Sequence, residues 1–158
     1  YKSKGTLAGE GTAFLALSRN RNEKSFAGIE MPETFFKPES YAEVESRITG
    51  YIKRTAGDMS NIDLVIMGLN GDFLMDEVYY NAERKLFGRI PCAYYKHLCG
   101  EYDTSASFAT FMAAEIIKKQ YLPAVMRLDD KPIGRIRNIL VYNHLRNVNH
   151  SLILLSLC

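Results

Sequence analysis

The chain has 158 residues, a formal net charge of +2 and ordinary apolar and charged fractions. That is enough for about one domain with a real core, and the composition argues against disorder. The basic residues fall in small groups such as Arg19 and Arg21 or Lys118 and Lys119, without the large clustered excess of a nucleic-acid binder. No stretch is long enough to span a membrane, and no signal-peptide pattern opens the chain. The three cysteines, Cys92, Cys99 and Cys158, are odd in number and lack metal-ligand spacing, so free thiols in a reducing cytoplasm are expected. The first residue is Tyr1, which suggests a domain separated from what precedes it.

Taken in order, Thr12-Ala13-Phe14-Leu15-Ala16-Leu17 reads as a buried strand, residues 18–25 as a polar turn, and residues 26–36 as a second strand ending near Pro38. Ser40 and Glu43 make a capping box for a helix whose apolar residues Tyr41, Val44, Ile48, Tyr51 and Ile52 recur at helical spacing up to Gly57. Residues 62–67 suit a central strand. After the Gly68-Leu69-Asn70-Gly71-Asp72 loop, Asp76 is expected to cap a helix running to Phe87, with Gly88 as its stop. Residues 90–95 are strand-like again, and the strand–helix–strand order predicts a parallel pair.

The segment from Ser105 to Lys119 is apolar nearly all round, which predicts a helix buried between two layers, the second supplied by a partner half or subunit. Residues 139–142 and 151–157 read as an antiparallel pair. The fold class is therefore α/β, one domain over 1–158, with a mixed sheet of about five strands covered by helices.

Three segments carry a resemblance to a known family. Leu7-Ala8-Gly9-Glu10-Gly11-Thr12-Ala13-Phe14-Leu15-Ala16-Leu17 is similar to a Gly-Glu-Gly-Ala strand. Pro91-Cys92-Ala93-Tyr94-Tyr95-Lys96-His97-Leu98-Cys99-Gly100-Glu101 is similar to a strand ending Ser-Thr-Lys-Ser and its Thr-Gly-His turn. Asn149-His150-Ser151-Leu152-Ile153-Leu154 is similar to a closing Asn-Ala-Ser-Leu-Val-Leu strand. In this order they resemble the C-terminal half of the β-ketoacyl-(acyl-carrier-protein) synthases, condensing enzymes of the thiolase fold. The resemblance implies fatty-acid or polyketide biosynthesis in the cytoplasm, no cofactor, an acyl carrier protein as partner, and a homo- or heterodimer. It also implies that the nucleophilic cysteine belongs to an N-terminal half, absent from this chain, or to a ketosynthase subunit.

The site positions that the resemblance carries over are Lys96, matching the family lysine, Glu101, standing where the second histidine belongs, and Asn70, which takes the place of the first if Asn70-Gly71-Asp72 is the aligned turn, or Gly68 if no gap is allowed. The family's glycine-rich loop becomes Asn143-His144-Leu145-Arg146-Asn147-Val148-Asn149. Neutral imidazoles donate to a developing enolate oxygen, each such donor being worth roughly 3 kcal/mol, whereas ionised Glu101 only accepts. The implied function is a degenerate, non-condensing subunit similar to a chain-length factor. An acyltransferase working with altered residues and a purely structural dimerisation module are the alternatives. Lys96 also suits a structural ion pair with Glu101 or Asp72, and Glu101 a helix cap. His97 and Cys99, two apart on an extended segment, would share a face, but no third orienting group accompanies them. Asn70-Gly71-Asp72 suits a ligand loop or a plain turn. Arg127, Lys131, Arg135 and Arg137 suit an acidic carrier or, more simply, solvent.

Overall fold

The hydrophobic pattern condenses into a mixed sheet of six strands in the computed structural model, which describes residues 3–158. The strands are β1 (Ala27–Ile29), β2 (Glu33–Phe36), β3 (Leu64–Met67), β4 (Cys92–Tyr94), β5 (Asn138–Leu145) and β6 (Asn149–Leu157). The helices are α1 (Tyr41–Thr55), α2 (Phe73–Lys85), the single turn α3 (Lys96–Cys99) and α4 (Ser105–Lys119). The sheet order is β1-β6-β5-β3-β4, with β2 also on β6. β3 runs parallel to both β4 and β5, while β6 is antiparallel to β1, β2 and β5.

All of β3 is buried because helices cover both faces of the sheet. Its side chains alternate: Val65 and Met67 join Ile48, Ile52, Val78 and Phe87 under α1 and α2. Leu64 and Ile66 join Ala109, Ala113 and Ile117 of α4 on the other side. The β5–β6 hairpin closes through Arg146 and Asn147, both left-handed (φ 53° and 54°), with the Val148 amide donating to the Leu145 carbonyl at 3.0 Å. Two successive left-handed residues match the twist of the flanking strands.

The capping box forms at α1: the Glu43 amide donates to Ser40 Oγ, and the Glu43 carboxylate accepts from the Glu39 amide. Gly57 ends the helix region at φ 82°. α2 begins earlier than its expected start at Asp76, because Asp72 is the cap and accepts from the amides of Leu74 and Met75. Residues 26–36 form two short strands rather than one, broken where Met31 turns to solvent and Pro32 has no amide to donate.

Two expectations need larger correction. Residues 12–17 are not a strand and are not buried; Phe14 is 90% and Leu17 77% exposed. Among the described residues no strand pairs with them, so the apolar run finds no layer to enter. Helix α4 has the expected bounds but packs on one side only, through Ala109, Ala113, Ile116 and Ile117. Its outer side, where Phe111 stays 39% exposed, borders an apolar cleft of about 730 Å³ beside Phe14 and Leu15. No helix is long and apolar enough to cross a membrane among the described residues.

Candidate functional site

The carboxyl ends of parallel β3 and β4 bring together the three residues singled out in the sequence. Asn70 follows β3 in the loop before α2, Lys96 opens α3 just after β4, and Glu101 lies in the turn before α4. The Lys96 Nζ donates to both Glu101 oxygens, at 2.9 and 2.7 Å. The Asn70 side-chain amide donates to Glu101 Oε2 at 2.7 Å. The Lys96 side chain is 1% exposed and that of Glu101 14%. Of the two ion-pair partners considered for Lys96, the structure selects Glu101. Burial pushes the ammonium down from the usual lysine range, and the Glu101 carboxylate opposes that shift.

Around this pair the loops are tied by groups that the sequence did not mark as part of the site. Asp76 is buried beneath Asn70 and accepts from the Asn70 and Gly71 amides, both at 2.9 Å. Burial raises its carboxyl, and those two amides counter the rise. Its place one turn after Asp72 invited the reading of a cap; only the fold shows that it turns inward. Gly68 leaves room for three buried groups at once. A Cβ there would collide with Asn143 Oδ1, lie 2.7 Å from the Tyr79 hydroxyl and 3.1 Å from Lys96 Cε. Asn143 in turn accepts from the Tyr95 hydroxyl at 3.1 Å, and the Tyr79 hydroxyl accepts from the His144 amide at 2.8 Å.

The Gly9-Glu10-Gly11 segment belongs to a strap over the site rather than to a strand of the sheet. The Gly5 amide donates to Asp72 Oδ2 at 2.6 Å, and Thr6 Oγ1 donates to the Asn70 carbonyl at 3.0 Å. The Glu101 amide donates to the Leu7 carbonyl and the Gly9 amide to the Glu101 carbonyl, at 2.9 and 3.1 Å. Gly9 lies against Cys99 and Gly100, and a Cβ at Gly11 would sit 2.7 Å from the Tyr102 hydroxyl. Both glycines permit a backbone approach that a side chain would block.

The hairpin carries a buried histidine pair, His144 and His150, with rings 5.4 Å apart. His144 Nε2 faces the Met75 carbonyl at 3.0 Å while its Nδ1 accepts from the Asn147 amide, which defines a neutral Nε2–H ring. His150 Nδ1 meets the Tyr142 hydroxyl at 3.0 Å, and its Nε2 has no protein partner. Burial lowers both rings, His144 to about 3 and His150 to about 4.

His97 and Cys99 lie on the helical turn α3, not on extended chain, and they diverge. The His97 ring packs on Tyr94 with centroids 4.1 Å apart, while Cys99 Sγ lies 3.4 Å from the Gly100 carbonyl. Burial raises both thiols of this region, Cys92 to about 12 and Cys99 by less. Two of the basic residues are built in rather than merely solvated. Lys131 pairs with Glu83 and Asp129, and Arg127 donates to the carbonyls of Asp129 and Lys131. Arg135 and Arg137 are exposed. No grouping of three or more His, Cys, Asp or Glu side chains suited to a metal occurs among the described residues.

Chemically, the cluster is largely turned on itself. Glu101 takes one of the two side-chain amide hydrogens of Asn70 and two of the three N–H donors of Lys96; the His144 carbonyl lies 3.4 Å from the same Nζ. No family model and no curated protein sequence matches the chain.

Proposed function

We propose that the chain is a thiolase-fold, ketosynthase-like domain of fatty-acid or polyketide biosynthesis that does not condense by itself and shapes the pocket of an active ketosynthase. It acts in the cytoplasm, with an acyl carrier protein and a ketosynthase half or subunit as partners, in a homo- or heterodimer. The observation that carries this reading is the closed Lys96–Glu101–Asn70 cluster, at the positions that resemble the family's active site. Condensation needs hydrogen-bond donors aimed at an oxygen that gains charge in the transition state. Here the donors are turned onto a carboxylate, which would itself repel that charge. The thiols support the same reading, since burial holds Cys92 and Cys99 in the protonated, weakly nucleophilic form.

The test is to add the full open reading frame to an active ketosynthase with acyl- and malonyl-loaded carrier protein, and to read product lengths by mass spectrometry. A shifted chain-length distribution, with co-elution of the two proteins, is the expected result. An unchanged distribution and no association would overturn the proposal.

A further inference from the structure

We propose that the groove between α2 and the β4–α3 turn is a small-molecule site for a planar aromatic or heteroaromatic ring that carries an anionic group. The groove opens at the carboxyl ends of β3 and β4, where the connections of a parallel pair diverge and ligands are commonly held. Its volume of about 840 Å³ falls within the range of ligand clefts.

Its walls are aromatic, and Arg84 is the cation among its lining residues. Phe73 and Tyr80 stand on one face of α2, 40% and 41% exposed, and present ring surface to the groove. The facing wall is Tyr94 packed on His97. Rings of this kind stack on a flat ligand at modest entropic cost. Of the two carboxylates lining the groove, Asp76 is already engaged. Both Asp76 oxygens accept loop amides, and the exposed Glu77 lies two helical turns before Arg84.

Arg84 lies one further turn along the same helix face. Its guanidinium donates to Asn81 Oδ1 at 2.8 Å and forms no ion pair with a described carboxylate. Four N–H donors therefore stay open to a carboxylate, sulfonate or phosphate oxygen. A ring between Tyr80 and the Tyr94–His97 wall, with its anion on Arg84, satisfies both halves of the groove at once. The Phe14–Phe111 cleft has apolar walls without that Tyr94–His97 ring pair. This inference stands apart from the carrier-protein reading, since it uses neither Lys96 nor Glu101, and Asn70 borders the groove without carrying the argument.

The experiment titrates 2-naphthoate and its neutral counterpart 2-naphthamide into the isotopically labelled protein and follows backbone amide shifts by NMR. Naphthoate is expected to move the amides of Tyr80, Tyr94 and His97 and to bind about fivefold more tightly than the amide, the contribution of one exposed charge contact. Arg84→Ala should abolish that preference, and Lys85→Ala, on a side chain paired with Glu45, should keep it. Equal affinities, an unaltered preference in Arg84→Ala, or shifts confined to the Phe14–Phe111 cleft would each overturn the proposal. Both variants change exposed residues, so the amide spectrum itself reports whether the fold is kept.

Discussion

Replacing Glu101 by alanine leaves the Lys96 ammonium in the interior with little to answer it. The Lys96 side chain is 1% exposed, and its remaining contact is the His144 carbonyl at 3.4 Å. Removing one partner of a buried pair costs about 3–5 kcal/mol. Glu101 is 14% exposed, so water enters its place and the lower end, about 3 kcal/mol, applies. For a chain of this size that lowers the melting temperature by about 6–12 °C. Lys96→Met should cost less, because the carboxylate it leaves behind keeps Asn70 and some water. Lys96→Met with Glu101→Ala should cost less than the sum of the two single changes, giving a coupling energy of about 2 kcal/mol. Urea denaturation of the four proteins at pH 7 measures the cycle. A Glu101→Ala cost below about 0.5 kcal/mol, or additive single effects, would refute the buried pair as the centre of this site.

Three further outcomes follow from neighbouring groups. His150 stays neutral in the folded protein down to about pH 4, whereas the unfolded chain protonates it near its ordinary value of about 6.5. Unfolding therefore takes up a proton as pH falls through that window, and this residue should remove about 2 kcal/mol of stability between pH 7 and 5. His150→Phe, which keeps the stack on Phe35, should show that much less acid loss in urea melts at the two pH values. Gly68→Ala forces a methyl onto Asn143, Tyr79 and Lys96, and should lower the urea-derived stability by about 1–3 kcal/mol. Gly9→Val should lift the strap and raise hydrogen exchange at the Glu101 amide by about tenfold, while amides of β3 keep their protection.

Much of the architecture was legible because its signals are local. The capping box at Ser40 and the turn at Gly57 follow from short-range chemistry, and so does the unbroken apolar character of α4. The parallel β3–β4 pair follows from the order of elements, and its loops then carry Asn70, Lys96 and Glu101 to one place. What could not be read depends on distant partners. Residues 12–17 have the composition of a buried strand, but burial needs a surface, and none of the described elements pairs with them. Asp76 looks like a helix cap until its inward turn beneath Asn70 is seen. The one-sidedness of α4 is likewise a property of what packs against it, not of its own periodicity. Residues 97–99 seemed extended because they follow a strand, yet a single helical turn separates His97 from Cys99 and sends them to different neighbours.

The central claim is that the Lys96–Glu101–Asn70 cluster binds itself and performs no condensation. The most direct measurement incubates the full open reading frame, alone, with acyl- and malonyl-loaded carrier protein and follows both by intact-mass spectrometry. The account predicts unchanged malonyl carrier protein and no β-ketoacyl product. A β-ketoacyl product, lost in Lys96→Met, would contradict it and make the cluster part of a working active site.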